Sequence, residues 1–393
     1  MTRALAQALI VVRKELKDAF RDRRSIYSVL LGSLMGPVMV AFILNGVAER
    51  QREVQDVTIP VVGMAHAPAL VDWLRQQAGV QVVEGPADPE TAVRERVHDV
   101  VVVIPEDYAK TFRASRPVEI RIVSDGSRNV ARPFVQRVRT LLQRYNAEIA
   151  SLRLLGRGIS PAVVQPLQLQ DLEVSSAQQR AAVLLNFIPM FIVLAAFTGG
   201  MQIATDSTAG ERERGSLEPL LANPAARAVI ASGKWLAATL SSMLSVCITT
   251  TLCVALLQVI PLQDLGIRFR LGPGHVAGLL AGVLPLCLLA TAIQGYLATF
   301  ARSFKEAQSY MGFLIMAPML PGVVSAVYPI AGRWWMYPIP MLGHHLLLAD
   351  VLGGKAPGPL VFVASAAVTV LAALALVRLI TALLSRERII FGR

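Results

Sequence analysis

The chain has 393 residues, 54% of them hydrophobic and only 17% charged, with a formal net charge of +11. A soluble globular domain carries about 25% charged residues, so the composition excludes an ordinary soluble protein and calls for long charge-free stretches. The basic excess comes without aromatic-studded basic motifs, which argues against nucleic acid as a partner. Lys and Arg instead flank apolar runs, where they act as topology signals and as contacts for membrane lipids.

A helix crosses the hydrocarbon core with about 20 apolar residues. Runs of that kind occur at 26–46, 181–204, 235–260, 276–300, 308–330 and 359–377, the last drawn on to 384. The first 25 residues place Leu5, Leu9, Val12, Leu16 and Phe20 near one helical face, with Arg13, Lys14 and Lys17 elsewhere. They read as a cytoplasmic amphipathic helix on the leaflet or as a plain extension of the first span. Gly36-Pro37 within that span predicts a kink or local unwinding.

Residues 47–180 change character, with frequent charges and shorter apolar runs, and predict a small α/β domain. Strands are expected at 57–64, 81–84, 99–105, 119–125 and 167–174, with helices near 67–78 and 88–97. A long helix follows the fourth strand, and its stripe from Phe134 through Val138, Leu141, Leu142, Tyr145 and Ile149 to Leu152 should cover the sheet. No nucleophile elbow, metal-spaced histidine pair or dinucleotide fingerprint occurs there. Asp125-Gly126-Ser127 reads as a turn, and His66 and His98 stand alone.

Lys and Arg placement orients the spans. The N-terminal 25 residues, the loop at 205–234, the short loop at 301–307 and the tail at 385–393 are rich in them, whereas the two short loops on the other side hold Arg268, Arg270, Arg333 and Lys355. The expected fold is therefore a polytopic α-helical membrane protein with six transmembrane helices. Both termini lie in the cytoplasm and the α/β domain at 47–180 is extracytoplasmic. Cys247, Cys253 and Cys287 lie in apolar runs and read as packing residues. The segment 331–358 is expected as an outer loop, with Trp334, Trp335 and Tyr337 at the interface. His344-His345 within it are adjacent and point apart in regular structure, which disfavours a metal site.

The loop at 205–234 contains Gly215-Ser216-Leu217-Glu218-Pro219-Leu220-Leu221-Ala222-Asn223-Pro224. Gly215 permits a sharp turn, Ser216 can cap a helix, Glu218 suits its positive end, and Asn223-Pro224 stops it. Leu217, Leu220 and Leu221 form an i, i+3, i+4 stripe that could rest on lipid or dock a protein. This stretch resembles the G-T-x-E-x-L-L-x-x-P signature of type-2 ABC transporter permeases, with Ser in place of Thr. Gly233-Lys234 before the third span, Lys305-Glu306-Ala307-Gln308 before the fifth and R-E-R-I-I-F-G at the end resemble the sodium-export-like branch.

The resemblance implies an exporter permease. Glu211, Glu213, Gly215, Ser216, Leu217, Glu218, Leu220, Leu221 and Pro224 would then couple to an ABC ATPase subunit, with Lys305 and Glu306 as a second cytoplasmic contact. Glu213 and Glu218 would meet cations on the ATPase, and the leucines would fill its groove. Neither Gly233-Lys234-Trp235 nor Gly354-Lys355-Ala356 makes a phosphate-binding loop, so ATP and Mg belong to a separate partner and no cofactor is expected on this chain. A second permease subunit, identical or homologous, would complete the pathway in the inner membrane. An ion-coupled transporter is the first alternative, disfavoured because no ionisable residue lies in the core of a span, Arg378 falling at a cytoplasmic end. A membrane-tethered enzyme or sensor is the second, disfavoured by the absence of an active-site constellation. Apolar span walls carry no code for the cargo.

Overall fold

A computed structural model describes residues 3–128, 131–163, 186–259, 272–328, 330, 332–355 and 357–385. The expected strand at 167–174, the start of the second span at 181–185 and the tail from 386 lie outside these residues. The chain divides into two compact units, Met1–Asn45 with Val174–Arg393, and Gly46–Glu173.

The first two helices are α1 (Arg3–Arg21) and α2 (Arg23–Gln55). They are separated at Asp22, whose carboxylate accepts from Ser25 N at 3.2 Å and Ser25 Oγ at 3.0 Å, as a helix N-cap does. The N-terminal segment is thus a helix of its own, not a straight extension of the first span. One face of α1 is buried at Ala8, Val12 and Glu15.

The inserted unit holds β1 (Val57–Val62), α3 (Pro68–Arg75), β2 (Val80–Glu84), α4 (Pro89–Arg94), β3 (Val100–Val103), α5 (Tyr108–Arg113), β4 (Arg121–Ser124) and α6 (Arg132–Leu155). The sheet order is β2-β1-β3-β4, with β1 parallel to β2 and β3, and β4 antiparallel to β3. Ile59, Val61 and Val102 are fully buried at its centre, and Val138, Leu141 and Tyr145 of α6 cover it. Leu152 stays 60% exposed. At 1.5 Å per residue, α6 extends to about 36 Å and outruns strands of about 13–20 Å, so the last turns of its stripe have no sheet beneath them. Ser127 donates from N and Oγ to Asp125 Oδ1 at 3.0 and 2.7 Å, closing the expected turn. These bonds, with nearby Arg128 and Arg96, hold the Asp125 carboxyl below its usual range.

The other unit continues with α7 (Phe187–Thr205), a π-helical turn at Asp206–Gly210, α8 (Glu211–Glu213), α9 (Leu217–Leu221) and α10 (Arg227–Val259). It closes with α11 (Pro273–Phe300), α12 (Phe304–Leu314), α13 (Met316–Val327), α14 (Leu342–Leu352) and α15 (Pro359–Leu384). Six helical stretches among the described residues are long and apolar enough to cross a membrane: those of α2, α7 with its π turn and α8, α10, α11, α12–α13 and α15. The fifth is two helices meeting at Ile315 where one was expected, because Pro318 has no N–H to offer the Leu314 carbonyl.

Burial ranks the six. In α7, 83% of the apolar window is covered by the protein, against 22% in α2 and 17% in both α12–α13 and α15. Helix α7 is therefore the hub. Small residues let its neighbours approach, as membrane packing requires when lipid removes the hydrophobic drive between helices. A Cβ on Gly36 would come within 2.8 Å of Phe191 Cβ and 3.3 Å of Thr249 Cγ2. Beside it, Ser33 and Ser245 share a hydrogen bond at 2.8 Å and Thr249 donates to the Ser33 carbonyl at 3.0 Å. Helix α2 continues through Gly36-Pro37 without the expected unwinding; the glycine serves close approach instead.

The expected loop at 331–358 contains α14, whose 11 residues rise about 16 Å and are too short to span. It packs against α7, α11, α13 and α15, and buries His344 and His345. Among the described residues no cluster of His, Cys, Asp or Glu is arranged for a metal ion. Trp334 is 84% exposed, whereas Tyr337 is committed internally, its hydroxyl donating to Asp350 Oδ2 at 2.6 Å.

Replacing Gly36 by Leu should overpack the α2–α7 contact and lower stability by about 1–3 kcal/mol, seen as a lower thermal midpoint in detergent. Gly46→Leu, where nothing lies within 4 Å, should leave the midpoint unchanged.

Candidate functional site

The loop following α7 is shaped by its backbone. Gly215 adopts φ +68°, a left-handed conformation that favours glycine. Gly215 N donates to the Arg212 carbonyl at 3.0 Å and Ser216 N to the Glu211 carbonyl at 3.0 Å, which together make a Schellman ending for α8. Ser216 does not cap α9 as expected; its hydroxyl donates back to the Glu211 carbonyl at 3.3 Å. At the far end of α9, Asn223 Nδ2 donates to the Pro219 carbonyl at 3.0 Å, and Pro224 follows.

The expected leucine stripe divides. Leu217 is 3% exposed and faces a small cavity of about 30 Å³ lined also by Ala231, Lys234, Ile380 and Leu384. Leu220 and Leu221 are half-buried, and Gly215, Ser216, Glu218, Pro219 and Pro224 are exposed. Leu220, Ser216, Pro219 and Asn223 line an open cleft of about 890 Å³, bounded on its other sides by α1 and Phe304. Periodicity placed the three leucines on one face but could not say that α10 and α15 would cover one of them.

Glu211 is almost fully buried and is engaged within the chain. Its carboxylate is 6% exposed and takes Lys234 Nζ on Oε2 at 2.6 Å and Lys14 Nζ on Oε1 at 2.5 Å. Lys234, 8% exposed, also donates to Glu15 Oε1 at 2.9 Å and to the Ser207 carbonyl at 2.8 Å. An ammonium has three protons and no acceptor, and all three are used. The π turn, a wider coil found often at functional positions, carries the Ser207 carbonyl that completes the set. Lys14 bridges the pair from the rim, 3.1 Å from Glu15 and 3.7 Å from Asp18. Burial opposes its charge, but the Glu211 and Glu15 carboxylates outweigh that and raise the Lys14 ammonium above the usual lysine range.

Two further clips hold the loop. Arg212 donates to the Ala301 carbonyl at 2.7 Å, and Glu213 Oε2 accepts from Phe304 N at 2.7 Å. Arg214 grips Asp206 with two parallel bonds of 2.9 and 3.1 Å, a fork geometry that adds directional strength and keeps the Arg214 guanidinium charged beyond its ordinary range. Glu306 is likewise engaged within the chain, accepting from Arg302 N at 2.7 Å and Tyr310 OH at 2.6 Å. Lys305 is exposed. Of the expected contact residues, Glu211 and Leu217 are buried and Glu306 is bonded within the chain, Glu213 is exposed while accepting one backbone bond, Leu220 and Leu221 are half-buried, and Glu218, Pro224 and Lys305 are exposed.

The residues that sequence reasoning missed are Lys14 and Glu15, together with the interior role of Lys234. The charge pattern alone places Lys234 at the end of a span starting at 235. Helix α10 starts eight residues earlier at Arg227, which carries Lys234 into its second turn and beneath α1. The one signal available was a lone lysine bordering a 26-residue run with no charge.

A profile for ABC-2 family transporter proteins matches residues 9–378 of this chain. The chain belongs to that family. Among curated proteins it is similar to the ABC transporter permease protein NatB of Bacillus subtilis (strain 168), 28% identical over 369 residues, covering 93% of this chain and 94% of NatB. No solved structure matches. As an ABC-2 member the chain is a multi-pass transporter permease subunit, of a class that works with an ATPase. The junction of α1, α8 and α10 therefore lies in a transporter permease.

Replacing Lys234 by Met should leave Glu15 and Glu211 buried without their shared cation. Breaking a buried pair from one side costs about 3–5 kcal/mol, so the purified permease should melt at a clearly lower temperature. Lys305→Ala, at an exposed side chain, should stay within about 0.5 kcal/mol of the parent.

Proposed function

We propose that this chain is the permease of an ABC exporter and that a separate ATPase docks in the open cleft beside α9. The observation that carries the reading is the division of α9. Leu217 anchors the helix to its own chain while Leu220 and Pro219 face the cleft, so force on the outer residues passes to the spans through a fixed root. On the cleft wall Glu15 and Glu211 are neutralised by Lys234 and Lys14, and Asp206 by Arg214, so the acidic character that suits a basic surface on the partner comes from exposed Asp18. Glu218, exposed at the start of α9, adds to it, as does exposed Glu213, whose Oε2 also accepts from Phe304 N.

In this reading ATP and its Mg bind the partner, and closure of an ATPase pair shifts the α8–α9 loop between two packings of the spans. Two permease subunits, identical or homologous, line the pathway, and the weakly covered faces of α2, α12–α13 and α15 meet lipid or the second subunit. Lys and Arg placement supports cytoplasmic termini, a cytoplasmic α9 and an extracytoplasmic α/β unit in a cell inner membrane.

The test is co-purification. Leu220→Arg should abolish capture of the ATPase and its stimulation by the permease while the permease keeps its melting temperature. Leu217→Arg should instead destabilise the permease itself. Undiminished ATPase capture by Leu220→Arg would place the docking surface elsewhere.

A further inference from the structure

On the side of α1 turned away from the acidic cleft lies a second, apolar groove. Leu16, Ala19 and Phe20 of α1, Val29 and Leu30 of α2, and Leu244 of α10 form most of its wall, with about 100 Å³ of free volume. It runs along α10 from Ser241 to Ile248, a rise of about 10 Å. Its two hydroxyls are already used: Ser25 Oγ donates to Asp22 Oδ2 at 3.0 Å and Ser241 Oγ to the Gly199 carbonyl at 2.7 Å. The wall therefore has hydrocarbon to offer and no hydrogen-bonding group to spare, which suits an alkyl chain and disfavours a polar guest.

The exposed charges along the neighbouring face of α1 are cationic, while the Asp22 carboxylate at the elbow is bonded to Ser25. Arg13, Lys17 and Arg21 recur every fourth residue of α1 and so share one face, next to the face of Leu16 and Phe20. All three are exposed, as is Arg23 at the start of α2, and among the described residues none has an acidic partner. The acidic residues of this helix, Glu15 and Asp18, border the other cleft. Phe20 at 62%, Leu30 at 41% and Leu244 at 44% exposure leave the mouth open.

We propose that this groove binds an anionic phospholipid of the surrounding bilayer, with one acyl chain between α1, α2 and α10 and its phosphate against Arg13, Lys17 and Arg21. Cationic side chains next to a span attract anionic headgroups, and the groove turns that attraction into a seat of defined position. The lipid would wedge the α1–α2 elbow from the face opposite the Lys234 cluster, joining lipid composition to the geometry of the cytoplasmic junction.

The experiment is native mass spectrometry of the full chain, released from detergent with equal amounts of phosphatidylglycerol and phosphatidylcholine. Photoactivatable phosphatidylglycerol then maps the contact. The parent should retain phosphatidylglycerol over phosphatidylcholine by about tenfold or more, with adducts on residues 16–30 and 241–248. Lys17→Glu combined with Arg21→Glu should erase the preference while the melting temperature in detergent stays unchanged. Ala19→Trp, which fills the groove, should lose retention of both lipids. If Ala19→Trp fails to fold, the surface charge pair decides alone. Equal retention of the two lipids by the parent, a preference that survives the charge reversal, or adducts confined to other helices would each overturn the proposal.

Discussion

An ammonium held at the edge of a membrane must find an acceptor for each of its protons or remain a strongly unfavourable buried charge. Lys234 solves this with three acceptors drawn from three places in the chain: Glu15 on α1, Ser207 in the π turn and Glu211 on α8. Those elements are consequently fixed to α10 and to one another. Lys14 closes the balance from the rim, leaving two cations against two carboxylates in the cluster. The loop that presents Leu220 is rooted in this junction and does not hang freely between two spans.

Above the junction, in the apolar part, the constraint is different. Lipid is as apolar as leucine, so helices associate through close approach and shared polar groups. Gly36, Gly199 and Gly200 open the approach, and the Ser33–Ser245 and Thr239–Thr291 hydroxyl pairs, each at 2.8 Å, fasten it. Helix α7 is the common neighbour, and the chain leaves its centre directly into the π turn and α8. A displacement applied at α9 thus enters the spans through the most enclosed helix of the unit.

Much of this was legible in the sequence where one physical rule dominates. Charge-free runs set the spans, because lipid tolerates little else, and Gly215 marked the turn, because its left-handed φ is costly for other residues. Alternation and apolar runs located the strands at 57–62 and 100–103 closely, since the pattern is imposed by the pleat. What stayed hidden depends on partners distant in sequence. Nothing local to Lys234 indicates that Glu15, 219 residues away, will meet it. Leu217 and Leu220 carry the same side chain on the same stripe, and only the cover from α10 and α15 separates an anchor from an outward residue. The 11-residue α14 was too short to register as a span and too apolar to read as a helix within an ordinary loop.

The measurement that bears most directly on this account is a double-mutant cycle joining Glu211→Gln and Lys234→Met, read as unfolding free energy of the purified permease. If the buried ammonium is what ties the loop to α10, the double variant should be destabilised by less than the sum of the singles, with an interaction energy of about 1–3 kcal/mol. Additivity within about 0.5 kcal/mol would show that the two residues act independently and that the loop is held by something else.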